Sequence, residues 1–252
     1  MNAALTCVFC LVQGTRRPPL PQAVEQLPGA GELRLVPAWR SVWLVVASVP
    51  ARDYSADALS RGMQNIDWVG RRAMAHEAVV EQFLTCQAVL PLQLFTLFTS
   101  DERAVEDFVR RRRSIDRILA RINRQHEWGL RLTFNERGAL EAAAAWAVPA
   151  TGAGYLTRKR ELLDVTRGRL ADARAEAARV FRTLSRGASA ARRRTSTERA
   201  VPGSRLLLDA AFLVPVRRAA AFRALLRKQA RAFRTAGIVV SLTGPWPPYN
   251  FI

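Results

Sequence analysis

Apolar residues in the first fifty positions fall in short continuous runs rather than at helical spacing. The runs at 4–12, 32–39 and 42–49 are rich in Val, Leu and aromatic residues and are bounded by Pro, Gly or polar residues, which is typical of buried strands. From about Ser55 the pattern changes. Apolar positions recur every three or four residues through 67–84, so this segment is predicted to be an amphipathic helix.

The middle of the chain predicts a strand, a helix and a second strand. Residues 88–98 are β-like, and Ser100 follows as a helix N-cap with Asp101 and Glu102 in the first turn, where the helix dipole favours acidic groups. Residues 128–134 alternate and are predicted to form a strand. The helix between them has an apolar face made of Val105, Phe108, Ile115, Leu119 and Ile122.

A long helix is predicted from about Gly154 to Ser185. Its apolar residues recur every seven positions, but the second set of heptad positions is poor, so packing on the same chain or in a short helical hairpin is favoured over a free-standing coiled coil. Residues 186–204 have few bulky apolar side chains and are predicted to be a loop. The seven-residue seam consists of Leu156, Leu163, Leu170, Ala177 and Leu184.

The end of the chain predicts another strand–helix–strand segment. Its strands are expected at 206–216 and 238–244, and Gly237 ends the helix between them. Residues 88–134 have the same pattern. Two such units placed side by side, each with a right-handed crossover, form a ferredoxin-like antiparallel sheet covered by helices on one face.

The predicted fold class is therefore α+β, with two domains. The 252 residues exceed the usual size of a single domain. We expect a small N-terminal α/β domain over residues 1–86 and a modified ferredoxin-like domain over residues 87–252. The long helix is expected to lie in an insert of about residues 135–204.

The net charge of +18 raises the possibility of a polyanionic partner such as nucleic acid. Lys159 and Lys228 are the only lysines among 39 basic residues, which together with the many alanines indicates a codon bias toward arginine. The charge is also spread along the chain, and neither an RNA-binding motif nor a DNA-reading helix is apparent. A solvated basic surface is favoured, and polyanion binding is the alternative.

No constellation of catalytic or metal-binding residues is apparent. Cys7 and Cys10 have C-x-x-C spacing, but in a strand they are expected to point to opposite faces, and no second pair completes a zinc site. Cys86 is isolated, and His76-Glu77 lacks the second His of a zincin motif. His126 precedes a predicted strand and is interpreted as a paired surface group. P-loop, dinucleotide-binding and nucleophile-elbow motifs are missing. The sequence predicts a protein that is not an enzyme and has no cofactor or metal.

The chain is predicted to be cytosolic and to have no membrane span. No apolar stretch reaches the roughly 20 residues of a membrane helix. The first residues lack the basic region and cleavage site of a signal peptide. An odd number of cysteines, three, argues against a secreted disulfide scaffold.

Six phrases follow one another along the chain: DWVGRRAMAHEAVVEQF, VLPLQLFTLFTS, EWGLRLTF, GAGYLTRKR, DAAFLVPV and LTGPWPPYNFI. Together they resemble the GvpL/GvpF family of gas vesicle proteins, over about residues 66–252, and the terminal G-P-W-P-P-Y-x-F signature is highly specific. The resemblance implies a non-enzymatic gas vesicle assembly protein with an α+β fold. It also implies binding to other accessory proteins and to the hydrophobic major shell protein, whose aggregation it would limit.

The last nine residues, GPWPPYNFI, hold the candidate site. Gly244 is expected to end the strand, and the prolines are expected to form a stiff extended segment that cannot continue the sheet. One role is a structural clamp, folded back into a seam between the domains or beside the long helix; the other is an exposed aromatic platform that docks the shell protein. The clamp is favoured. Candidate residues for either role are Trp246, Pro247, Pro248, Tyr249 and Phe251.

Six further residues of the shared phrases have no assigned role. Nothing in the sequence demands chemistry of them. Glu127 is expected to pair with an arginine, and Trp128 is expected to pack on the sheet. The six are Trp68, His76, Glu77, Glu127, Trp128 and Tyr155.

Overall fold

The computed structural model confirms the predicted α+β class, because helices accompany two separate antiparallel sheets. Contacts divide the chain into two compact units. The first comprises Met1–His126 together with Trp246–Ile252, and the second comprises Glu127–Pro245. The residues described by the structure are 4–22, 24–136, 152–195 and 203–252.

The first unit contains a five-stranded antiparallel sheet. β1 lies inside the sheet, because it pairs with β3 along one edge and with β4 and the short β5 along the other, in the order β2–β3–β1–β4. The three strands predicted in the first fifty positions are all present. The strands are β1 (Ala4–Gln13), β2 (Arg34–Trp39), β3 (Val42–Pro50), β4 (Ala88–Pro91) and β5 (Leu97–Phe98).

Helices cover both faces of this sheet. Val79 and Phe83 belong to a core with Phe9 and Val12, whereas Phe108 belongs to a separate core with Leu11. Because successive residues of a strand, such as Leu11 and Val12, point to opposite faces, the two cores lie on opposite sides of the sheet. The helices are α1 (Ala51–Tyr54), α2 (Ala56–Gly62), α3 (Ile66–Glu81), α4 (Asp101–Arg110) and α5 (Arg112–Ile122).

A β-bulge in β1 corrects the expectation that Cys7 and Cys10 point to opposite faces. Pairing with β3 shifts register between Val8 and Cys10, and the extra residue returns Cys10 to the face that Cys7 occupies. Both thiols are buried in the core that contains Phe9, and burial raises the pKa of Cys7 to about 12. At such a pKa the thiol is protonated at neutral pH and is a poor nucleophile.

The segment that follows α3 belongs to the first unit, not to the ferredoxin-like sheet for which it was predicted. β4 pairs with β1 through Leu90 and Leu11, and α4 and α5 pack on the same sheet. The contact division therefore falls after His126 rather than after residue 86. The predicted N-cap is present, because Ser100 Oγ accepts a hydrogen bond from the backbone N–H of Arg103.

The second unit has the ferredoxin-like arrangement βαββαβ, with strand order β7–β8–β6–β9. Its first crossover is the long helix, so this helix is an integral part of the fold and not an insert. The elements are β6 (Gln125–Asn135), α6 (Gly152–Gly187), β7 (Ala190–Arg193), β8 (Ser204–Pro215), α7 (Ala219–Lys228), α8 (Ala230–Thr235) and β9 (Ile238–Trp246).

Strand β7 lies within the segment that was predicted to be a loop. Its sequence, AARR, has no bulky apolar residue, and pairing with β8 places Ala190 opposite Leu213. The strand is held by backbone hydrogen bonds and by the guanidinium of Arg193, which lies 4.7 Å from the Phe181 ring centroid. A hydrophobicity pattern cannot reveal a strand of this kind.

The long helix packs on its own chain, as expected. Residues of both heptad sets face the core of the second unit, and Ala173 and Val180 are the members of the second set that are buried there. The side chains of Leu156 and Leu163 lie outside the described part of the chain. The buried residues of the helix are Leu170, Ala173, Ala177, Val180 and Leu184.

Asp209 on β8 is buried, and charged hydrogen bonds join it to β6 and to Arg194, the residue that follows β7. Arg194 Nε donates to Asp209 Oδ1 at 2.7 Å, and Arg131 Nη2 donates to Asp209 Oδ2 at 3.1 Å. We expect Asp209→Asn to lower the free energy of unfolding by about 2 kcal/mol, because it removes the charge that two partly buried arginines face. Urea unfolding measures the change.

Asp164→Asn is the matched control for this prediction. Asp164 pairs with Arg167 at 3.4 Å, but both side chains are exposed, so solvent screens the pair and a loss of less than about 0.5 kcal/mol is expected. Equal effects of the two substitutions would show that the Asp209 cluster does not stabilise the second unit.

Candidate functional site

A cavity of about 490 Å³ in the first unit brings together three segments that are far apart in sequence. Helix α3 contributes Ala73, His76 and Glu77. Residues 91–94, which follow β4, and two residues of the chain terminus complete the wall. The described lining is Ala73, His76, Glu77, Pro91, Leu92, Gln93, Leu94, Tyr249 and Ile252.

The chain terminus reaches this cavity by a route that differs from the predicted one. β9 does not stop at Gly244 but continues through a cis Gly244–Pro245 bond to Trp246. Pro247 and Pro248 are buried, and a 3₁₀ turn, Tyr249–Phe251, replaces the predicted extended end. Contacts assign the segment Trp246–Ile252 to the first unit, although its sequence neighbours belong to the second.

Two residues at the end of the chain differ sharply in exposure. Phe251 is only 3% exposed, and its carbonyl oxygen accepts a hydrogen bond from Arg121 at the end of α5. Ile252 is 43% exposed and lines the cavity beside Tyr249, which is partly buried. The terminus therefore offers one anchored aromatic side chain and one accessible apolar side chain.

His76 is a buried polar group at the cavity wall. It is 4% exposed, and its ring centroid lies 5.3 Å from that of Phe9. Burial lowers the pKa of His76 to about 4, and the nearby backbone of Leu92 opposes part of that shift. Within the described residues, neither ring nitrogen has a partner with hydrogen-bonding geometry. The imidazole is therefore neutral at pH 7 and keeps one donor and one acceptor.

An apolar ridge on α3 lies on the side of the helix that carries Ala73 of the cavity. It consists of Ile66 and Met74, which are 82% and 72% exposed. Ala73 of the cavity lies seven residues after Ile66, so the two share one face of the helix. Between them a Cβ at Gly70 would meet no described atom within 4 Å, so this face is open.

The structure places the other singled-out residues elsewhere. Trp68 packs against Phe95 in the first unit, whereas Glu127 and Trp128 are buried on β6 in the second. Trp128 contacts Phe222, with ring centroids 6.4 Å apart. Tyr155 lies in α6, and its side chain is outside the described part of the chain.

Sequence reasoning missed an apolar groove in the second unit. Its volume is about 410 Å³, and its floor is formed by α7, α8 and β9 through Leu226, Phe233 and Val240. Arg223 and Arg227 line it as well. The sequence signal that could have indicated this groove is the alternation of apolar residues along β9, which is the last strand in the sheet order.

The described residues show two further properties. They contain no helix with the length and apolar character of a membrane span. Within the same ranges, no group of three or more His, Cys, Asp or Glu side chains is placed to hold a metal ion.

The fold defines a class of α+β proteins for which solved structures exist. The crystal structure of the gas vesicle protein GvpF from Anabaena sp. PCC7120 superposes with a TM-score of 0.68 at 14% identity, over 98% of this chain and 95% of that one. The crystal structure of GvpF from Microcystis aeruginosa gives a TM-score of 0.64 at 13% identity, over 99% and 98% of the two chains.

Sequence comparison then identifies the family. The model of the family described as gas vesicle synthesis protein GvpL/GvpF matches residues 6–252. Gas vesicle protein L of Streptomyces sp. (strain CB03234) is 34% identical over 217 residues, which cover 82% of this chain and 78% of that protein. The chain belongs to the GvpL/GvpF family of gas vesicle proteins.

Proposed function

We propose that this chain is a cytoplasmic assembly protein of gas vesicles that binds the hydrophobic major shell protein, together with other accessory proteins, and limits its aggregation. Family membership supports the link to gas vesicles. The observation that carries the binding role is the cavity of about 490 Å³, in which three of the family-like segments meet.

The chemistry of this surface suits an apolar polypeptide. The side chains of Leu92, Leu94 and Ile252 can pack against an inserted apolar residue, and burial of one such residue contributes about 2 kcal/mol. The adjoining ridge at Ile66 and Met74 enlarges the apolar contact area.

In this proposal the terminus has both of the roles that the sequence left open, the structural clamp and the docking platform. Phe251 clamps the end of the chain to the first unit, and Ile252 and Tyr249 form part of the docking surface. Polyanion binding is the less favoured function, because the sequence has neither an RNA-binding motif nor a DNA-reading helix.

We expect Ile252→Asp to weaken suppression of shell-protein aggregation by about tenfold. The substitution places a charge on the rim of the cavity, and a carboxylate that is desolvated without a partner costs more than 1.4 kcal/mol, which corresponds to a factor of ten in affinity. Denatured shell protein is diluted into buffer with increasing amounts of this chain, and light scattering gives the concentration for half-suppression.

Val165→Asp is the control for Ile252→Asp. Val165 is 48% exposed on α6, far along the chain from the cavity segments, and it carries the same change from a β-branched side chain to a carboxylate. Wild-type activity of Ile252→Asp, or an equal loss in Val165→Asp, would contradict docking at the cavity. Filter binding of duplex DNA at near-physiological salt tests the alternative function in the same samples.

A further inference from the structure

A different cavity of the first unit is lined by cationic rather than apolar groups. Its volume is about 390 Å³, and it lies where α1, α2 and the start of α3 meet. The side chains that matter here are Arg52, Asp53, Arg61, Asn65, Trp68 and Arg72. None of them lines the apolar cavity described above.

Arg72 is buried there without an acidic partner. The residue is 9% exposed, and none of the described ion pairs includes it. Its Nη1 makes a long hydrogen bond to the Trp68 carbonyl oxygen, at 3.4 Å, and its Cζ lies 5.6 Å from the Tyr54 ring centroid. Its buried Nε has no acceptor among the described residues. Native proteins rarely leave a buried cation in this state, because desolvation is not compensated.

The orientation of the Arg72 guanidinium is fixed by stacking. Its Cζ lies 3.7 Å from the Trp68 ring centroid. On the other side the indole rests against Gly62, where a Cβ would come within 2.6 Å of the ring. Stacking fixes the plane of the guanidinium, and the N–H donors at its edge that are neither buried nor bonded to Trp68 remain to bind an oxyanion.

The surrounding charges favour the same kind of ligand. Asp53 pairs with Arg52 at 3.4 Å, whereas Arg61 has no acidic partner among the described residues. Asn65 caps α3 by accepting hydrogen bonds from the backbone N–H groups of Asp67 and Trp68, so the positive end of this helix adjoins the cavity. Two cations of the cavity, Arg61 and Arg72, therefore have no acidic partner among the described residues.

From these contacts we propose that the cavity binds an oxyanion, held by Arg72 and Arg61 above the Trp68 ring. The recognised chemistry is a phosphate or carboxylate group. It has two sources: free inorganic phosphate, or the carboxylate of an acidic side chain on a partner protein. The site is independent of the apolar docking surface and adds polar specificity to the first unit.

Isothermal titration of the full chain with inorganic phosphate and, separately, with succinate tests the proposal at constant ionic strength. We expect at least one of the two to bind with a Kd of about 1 mM or lower. Saturation by phosphate alone identifies the free anion as the source, and saturation by succinate alone identifies a carboxylate. In either case the Trp68 indole N–H resonance should shift on binding, and Trp68→Phe assigns that resonance among the six tryptophans.

Arg61→Gln is the decisive variant, because Arg61 is exposed and its replacement leaves the stacked core intact. We expect it to raise the Kd about tenfold. Arg71→Gln removes the same charge from an exposed position of α3 that does not line the cavity, and it should leave the Kd within about twofold. Absence of binding by both anions, or equal losses in the two variants, would overturn the proposal.

Discussion

Phe251→Ala is expected to lower the free energy of unfolding of the first unit by about 3–4 kcal/mol. Phe251 is 3% exposed, and truncation of a fully buried Phe removes its transfer free energy and leaves a cavity. The substitution also weakens the hydrogen bond from Arg121 to the Phe251 carbonyl oxygen, because the terminal turn is held less firmly without the ring. Urea unfolding measures the loss, and hydrogen exchange of the α5 amides locates it in the first unit.

Ile252→Ala is the control, because its side chain is 43% exposed and should cost less than about 1 kcal/mol. A stop after Trp246 separates the two roles of the terminus, since β9 extends to Trp246 and the sheet stays complete. A folded product that no longer binds shell protein would favour docking, and an insoluble product would favour the clamp. Unchanged stability of Phe251→Ala would rule the clamp out.

The sequence revealed the ferredoxin-like arrangement but assigned it one wrong strand. β4 has the same apolar character as the strands of the second unit, and its position before a helix matches a strand–helix–strand unit. Its partner, β1, lies about 80 residues earlier. Strand pairing at that separation depends on tertiary contacts, which periodicity does not encode. The strand that completes the sheet, β7, was hidden by its small and basic residues.

The candidate site was partly visible in the sequence. His76, Glu77 and Tyr249 were singled out because they lie in shared phrases, and all three line the cavity. Their meeting could not be predicted, because the terminus belongs to the first unit although β9 belongs to the second.

A residue's role also depended on tertiary partners that the sequence did not show. Asp101 was interpreted as an acid favoured by the helix dipole. In the structure its carboxylate accepts hydrogen bonds from Arg34 on β2, and it also accepts one from Thr6 on β1 at 2.7 Å. The hydrogen bond from Arg34 is the main reason that the pKa of Asp101 is lowered.

The buried His76 is expected to make the first unit lose stability between pH 6.5 and pH 4. Burial lowers its folded-state pKa to about 4, whereas an unfolded histidine titrates near 6.5. In this window the unfolded chain binds a proton that the folded chain does not, so protonation favours unfolding as the pH falls. The difference of about 2.5 pKa units corresponds to about 3 kcal/mol between pH 7 and pH 4.

Urea unfolding of the wild-type chain and of His76→Gln at pH 7, 6, 5 and 4 measures this contribution. Glutamine does not titrate, so the stability difference between the two chains should change by about 3 kcal/mol across the series, in the direction that favours the variant at low pH. Titrations that both chains share cancel in the comparison. They include that of Glu81, whose pKa is raised by burial and by Glu77 and which therefore acts in the opposite sense. A pH-independent difference would mean that His76 is solvated or paired in the folded protein.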